Sequence, residues 1–391
     1  MKWCWPVLFL LLMFPLGCGD DDDDNDDNDV FSDDDETDDD DAVDDDDSSA
    51  DDDSTDDDAG DDDTADDDTT DDESGDDDTY IEPEYPNDEF LHLNDLQALG
   101  THNSYHIIPH GPFIYPDYRY THAPLNEQLD IGVRQFELDV HWVYGQGLKV
   151  FHAPVIDPLT TCDTLVDCLT VLKDWSDEHP GHHALIVFLE PKDDLNINHI
   201  EEHVDDVQEA ILEVWPRERI LTPDDVRGEY ETLAEAITTE GWPTLGATRN
   251  KILFHAHDGG EFRENYMAAY PDLEDGLMFT DAGVDDSWAG ILPMNDPLGS
   301  ATQIGEAVQA GFIVRTRADS CCENAINNDH TQAEAAFVSG AHAVSTDFPQ
   351  EVPEYDYWIS IPDGAPSRCN PLIAPEFCTP PDIEALPPAN R

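Results

Sequence analysis

Val133-Arg134-Gln135-Phe136-Glu137-Leu138-Asp139-Val140 is an apolar run with two acids set near its end. Read as a strand, its two-residue period sends Glu137 and Asp139 to one face and Leu138 to the other. Charges carried by so apolar a strand are rarely left without a partner. The stretch therefore reads as a core strand that ends at a functional rim. Similar short apolar runs occur at 96–99, 148–151, 184–189, 252–254, 277–279, 312–314 and 341–344. Between most of them lie stretches such as 164–178, 199–215, 301–310 and 331–339, with apolar residues at helical spacing. Strands alternating with helices predict a parallel sheet, and eight of them predict closure as an α/β (β/α)8 barrel of the TIM type. The third unit is irregular, because Tyr144-Gly145-Gln146-Gly147 reads as a hairpin turn rather than a helix.

A barrel of this kind places its chemistry at the C-terminal ends of its strands. Gly100-Thr101-His102-Asn103-Ser104 follows the first strand, Glu137 and Asp139 end the second, His152 ends the third and Glu190 ends the fourth. Three carboxylates and an amide oxygen are hard ligands, which suit Ca2+ better than zinc or copper. Two histidines beside such a cation can act as general acid, general base or donors to developing charge. Taken singly, His102 is readable as a turn residue and the Glu137–Asp139 pair as part of a surface strand. Taken together, the residues read as a metal-assisted phosphodiester site.

Those residues resemble the calcium-dependent phosphatidylinositol-specific phospholipases C, within the PLC-like phosphodiesterase superfamily, over roughly 92–350. The later segments Ile313-Val-Arg315-Thr-Arg317-Ala-Asp319 and Val344-Ser-Thr-Asp347-Phe-Pro look like the final barrel strands of the bacterial subgroup. The resemblance implies that Asn103, Glu137, Asp139 and Glu190 hold Ca2+. It further implies that His102 stabilises the phosphoryl group and that His152 protonates the departing diacylglycerol oxygen. A ring hydroxyl of inositol would be the nucleophile, a carboxylate such as Glu190 would take its proton, and a cyclic inositol phosphate would leave first. The implied partner is a membrane phospholipid of the phosphatidylinositol class.

Two other functions compete. A glycerophosphodiester phosphodiesterase shares the barrel, the Glu-x-Asp pair and two histidines, but its first histidine is usually followed by Arg-Gly, not by Asn103-Ser104. A non-catalytic lipid-binding surface lipoprotein would be expected to have lost a catalytic group, and none is missing here. Arg315 and Arg317 are candidates to clamp phosphate, since guanidinium forks match its oxygens; structural ion pairing is the alternative. Lys192 lies two residues past Glu190, placed either to touch substrate or to balance carboxylates. His255-Ala-His257-Asp258 has the spacing of a zinc hydrolase pair but no evident further ligand, so a second metal is not expected there. His182-His183 is read as a solvated loop pair.

The N-terminal fifth has a different character. Lys2 and the short apolar run 7–16 read as a signal peptide too short to span a bilayer, and Leu16-Gly17-Cys18 resembles a bacterial lipoprotein box with Cys18 as the lipidated residue. From 20 to 78 nearly every residue is Asp, Ser, Thr, Gly or Ala, a composition unable to offset its ordering entropy. The expected organisation is a signal segment (1–18), a disordered acidic tether (19–84), the barrel (85–350) and a C-terminal tail packed on it (351–391). The expected localisation is exported and anchored by lipid to a bacterial envelope, with plain secretion as the alternative. A formal net charge of −77 makes nucleic acid an unfavourable partner, and the chain is expected to be a monomer. Export permits disulfides: Cys162 with Cys168 and Cys369 with Cys378 are plausible local bridges, while pairing of Cys321 and Cys322 is left open.

Overall fold

The computed structural model describes residues 85–384 apart from 112–113, 194–198, 321, 363 and 365. The signal segment, Cys18, the acidic tether and Cys321 lie outside the described residues. Eight parallel strands form the wall of a nearly closed barrel, in the spatial order β6-β5-β4-β2-β1-β9-β8-β7. They are β1 (Leu96–Thr101), β2 (Val133–Val143), β4 (Leu185–Pro191), β5 (Ile252–Ala256), β6 (Met278–Thr280), β7 (Ile291–Pro293), β8 (Ile313–Arg317) and β9 (Ala343–Thr346). Two further strands, β3 (Gly147–Val150) and β10 (Ser367–Cys369), add antiparallel to β2 and β1. Among the described residues, β6 and β7 do not pair, which leaves a seam between them.

Helices follow most strands, as the periodicity predicts. The longest among the described residues, Leu165–Glu178, opens on a Thr164 cap whose hydroxyl accepts from Asp167 N at 3.1 Å, while the Asp167 carboxylate accepts from Thr164 N at 3.1 Å. Its Leu165, Leu169 and Leu172 are buried in the core shared with the barrel wall, whose strands are buried on both faces because helices cover the outer one. No helix among the described residues is long and apolar enough to cross a membrane.

The fold class is as expected, but two strand assignments need correction. The 148–151 run is not the third barrel strand. It returns antiparallel along β2, with Val140 opposite Val150 and Val143 opposite Gly147, because Tyr144–Gly147 is a tight turn that reverses the chain. The missing wall strand is β7, three residues long and ending in Pro293, too short to produce a period. The His182-His183 reading is also wrong. Both rings are buried, His183 bonding Ser367 Oγ at 2.7 Å and His182 bonding Ser176 Oγ at 2.6 Å.

These histidines belong to the closed floor of the barrel. Arg134, at the start of β2, is 1% exposed and forks onto Glu384 of the C-terminal segment with contacts of 2.5, 3.1 and 3.2 Å. Its remaining amine donates to the Leu129 and Val133 carbonyls, each at 2.8 Å. Cys369, at the end of β10, is bridged to Cys378, and Cys162 to Cys168, as the spacing predicts. Cys322 is a free, buried thiol.

Candidate active site

The site is built by three neighbouring strands in fixed register. β2 and β4 pair from Gln135 with Ile186 through to Val140 with Pro191, which sets Glu137 beside Phe188 and Asp139 beside Glu190. Paired residues on parallel strands share a face, so both acids of β2 and Glu190 of β4 project into the mouth of the barrel. Their carboxylate oxygens lie within 4.8 Å of one another. β1 approaches β2 so closely that a Cβ at Gly100 would stand 2.0 Å from the buried Gln135 Oε1. After β1 the chain turns sharply at Asn103, which takes the left-handed conformation at φ 44° that asparagine tolerates better than most residues. Ser104 then ties the turn to β2: its amide donates to Glu137 O at 2.9 Å, and its hydroxyl accepts from Glu137 N at 2.8 Å. Asn103 Oδ1 accepts from the Tyr105 hydroxyl at 3.3 Å.

Electrostatically the cluster is incomplete. Asp139 is fully buried, and neither of its carboxylate oxygens has a hydrogen-bond partner. Burial pushes its carboxyl up to about 7, against the pull of Lys192 and with the help of Glu190. Lys192 contacts Glu190 and stands 3.9 Å from Asp139 Oδ2. Arg315 contacts Glu137 across the barrel and bonds Asn295 Oδ1 at 2.5 Å. An orphaned, buried carboxylate flanked by two more acids and a buried amide oxygen matches the all-oxygen donor set of Ca2+.

Two histidines flank this cluster, and each is backed by a buried acid. His102 Nδ1 donates to Asp347 Oδ1 at 2.8 Å, while its Nε2 lies 3.5 Å from Glu137 Oε1. Asp347 is itself buried and held by Arg317 at 3.4 Å, and burial raises its carboxyl. His152 Nδ1 donates to Asp157 Oδ2 at 2.9 Å, and His106 Nε2 donates to the same oxygen at 2.9 Å. Burial alone would lower His152, but the hydrogen bond and charge of Asp157 outweigh it and leave the imidazole raised. The two side chains keep 22% and 21% exposure while Asp347 and Asp157 are sealed, so the imidazoles face the mouth and the acids do not. In each pair the Nδ1–H is fixed and the other ring nitrogen is left for chemistry.

The residues singled out in sequence are thus brought together: Asn103, Glu137, Asp139 and Glu190 at the centre, with His102, His152, Lys192, Arg315 and Arg317 around them. Three participants escaped sequence reasoning. Asp157 and His106 gave no signal because neither ends a strand. Asp281, one residue past β6, meets His255 and His257, and gave no signal because its partners lie on another strand. His152 also reaches the rim by a different route from the one expected, from the turn after the hairpin strand β3.

A model of the family described as "Phosphoinositide phospholipase C, Ca2+-dependent" matches residues 91–144 and 142–371. Among solved structures, the chain is similar to a calcium-dependent phosphoinositol-specific phospholipase C from a Gram-negative bacterium, Pseudomonas sp., in its apo form and myoinositol complex. The identity is 18%, 73% of this chain and 97% of that chain are covered, and the TM-score is 0.52. A second crystal form of that protein aligns with the same figures. A Ca2+-dependent phosphatidylinositol-specific phospholipase C from Streptomyces antibioticus aligns at 16% identity over 66% of this chain and 95% of that chain, with a TM-score of 0.47. No curated protein matches the chain in sequence.

Proposed function

The chain belongs to the Ca2+-dependent phosphoinositide phospholipase C family, and from that premise we propose that it cleaves phosphatidylinositol to diacylglycerol and a cyclic inositol phosphate. Membership makes it a phosphoric diester hydrolase whose family depends on Ca2+; the residue roles below are our reading. The observation that carries it is the pair of imidazoles, each locked at Nδ1 by a buried aspartate at 2.8–2.9 Å, on either side of a three-carboxylate cluster whose central Asp139 has no hydrogen bond to either oxygen.

Asn103, Glu137, Asp139 and Glu190 would hold Ca2+, which supplies a lowered pKa for an inositol hydroxyl and offsets charge developing on phosphate. Glu190, the most exposed of the three acids, takes the proton of that hydroxyl. His102, kept in place by Asp347, donates from Nε2 to the phosphoryl oxygens. His152, whose hold on its proton the neighbouring Asp157 strengthens, delivers that proton to the diacylglycerol oxygen as that bond breaks. Lys192, Arg315 and Arg317 stand where a phosphate would enter, each already shared with a carboxylate whose orientation it sets. The signal-like segment, Cys18 and the two disulfides support an exported, lipid-tethered enzyme.

The test is product identity. Phosphatidylinositol, glycerophosphoinositol and glycerophosphocholine are offered to the full chain, and phosphorus NMR follows the products. A five-membered cyclic phosphate from phosphatidylinositol, with little turnover of glycerophosphocholine, supports the reading. Preferential hydrolysis of glycerophosphocholine would instead make it a glycerophosphodiesterase.

A further inference from the structure

His255 and His257 are two apart on the β5 end, so their rings leave the same face of the strand. β6 lies alongside in register, with His255 opposite Phe279 and Ala256 opposite Thr280. One residue further, where β6 ends, Asp281 comes level with His257. Its Oδ1 lies 2.5 Å from His255 Nε2, and its two oxygens lie 3.1 and 3.0 Å from His257 Nδ1. One nitrogen from each ring and a carboxylate oxygen all stand within 4.8 Å of one another.

Three features distinguish this cluster from an ordinary buried ion pair. His255 is fully buried, and its Nδ1 has no hydrogen-bond partner, so the ring makes its one bond toward the carboxylate. Asp281 keeps 20% exposure, which gives a path from solvent. The cluster also sits at a weak point. β6 is three residues long and, among the described residues, pairs only with β5.

We propose that His255, His257 and Asp281 form a second metal site, which binds a borderline divalent transition ion of the Zn2+ class and clamps the end of β6 to β5. Two imidazoles and one carboxylate are the donor set of three-ligand zinc sites, with a fourth position left to water. Imidazole nitrogen favours such ions, whereas the all-oxygen cluster one strand away favours Ca2+, so donor type keeps the two sites apart. Sequence alone showed only the His-x-His pair, because its carboxylate partner arrives 24 residues later on another strand.

Co2+ is the probe, added to the full chain in excess Ca2+ so that the aspartate-rich segment and the oxygen cluster are already occupied. One equivalent should bind with the intense visible absorption of four- or five-coordinate, nitrogen-ligated Co2+, and Zn2+ should displace it and raise the thermal midpoint. His257→Ala and Asp281→Asn, with folding checked by circular dichroism, should each weaken binding roughly 100-fold or more, since even an outer-shell partner of a metal ligand is worth about 10- to 100-fold. A weak six-coordinate spectrum, or an intense one that survives His257→Ala, overturns the proposal, as does a Zn2+-induced midpoint shift that is unchanged in both variants.

Discussion

The mouth and the floor of this barrel both bury charge, and they treat it in opposite ways. On the floor, Arg134 directs its donors to Glu384 and two carbonyls, the His183 amide donates to Glu384 Oε2 at 3.2 Å, and the His183 ring bonds Ser367 Oγ. At the mouth, Glu137, Asp139 and Glu190 crowd together, and Asp139 has both oxygens buried without a bond. A satisfied buried pair needs no ligand, and its function is to hold the C-terminal segment against the strand ends. An unsatisfied one costs stability on its own, so it persists where binding something repays the cost. The same residue types thus carry opposite meanings, and hydrogen-bond completeness separates them.

The largest effect should come from the imidazoles at the mouth. His152→Ala and His102→Ala should each lower kcat by about 10²- to 10⁴-fold, the usual worth of a placed acid or base, with an unchanged thermal midpoint. Loss of folding in either variant would put these residues on the structural side of the comparison. Next comes the floor. Glu384→Gln leaves Arg134 buried without its counter-ion and should cost about 3–5 kcal/mol in denaturant unfolding, while the folded fraction keeps its kcat.

Acid should probe the floor more gently. His182 and His183 are pushed down to about 4 and about 3 by burial, and His342 to about 4. Each is neutral when folded and takes up a proton more readily when unfolded, where its pKa is near 6.5. Stability from these groups is therefore full above pH 6.5 and lost as pH falls from 6.5 toward 4, by up to about 1.4 kcal/mol per group per pH unit. Asp319, raised to about 7 by burial, and Asp347, also raised by burial, act in the other direction over the same range and offset part of that loss. Unfolding midpoints in excess Ca2+ should drop on acidification, and His342→Gln should flatten that slope. A slope indifferent to His342→Gln would contradict the assignment.

The smallest effect is the sharpest contrast. In chelator, Asp139→Asn should keep or raise the thermal midpoint, at roughly 2–4 °C per kcal/mol for a domain of this size, because it removes a fully buried carboxylate crowded by Glu137 and Glu190 and reached by Lys192 only at 3.9 Å. A clear drop would show that Asp139 is held by the protein itself.

Much of the mouth was legible in sequence, because catalytic residues at strand ends follow directly from strand period and order. Glu137, Asp139 and Glu190 needed only that rule. The strand count was reached with one wrong member: the 148–151 run has the composition of a wall strand, and only the turn at Gly145 and Gly147 shows that it folds back. β7 was illegible because three residues ending in proline carry no period. Asp157, Asp281 and the burial of His182 and His183 were illegible for another reason, since each depends on a partner brought near by the barrel rather than by the chain.

Most depends on whether Asp139, with Glu137 and Glu190 beside it at the mouth, holds the Ca2+ that we propose phosphodiester cleavage requires. Turnover of phosphatidylinositol, measured against free Ca2+ for the native chain and Asp139→Asn, tests it most directly. Native turnover should be lost in chelator and fully recovered on adding Ca2+, with no recovery in Asp139→Asn at any Ca2+ concentration that restores the native chain. Turnover that persists in chelator, or an Asp139→Asn variant with the native Ca2+ response, would contradict it.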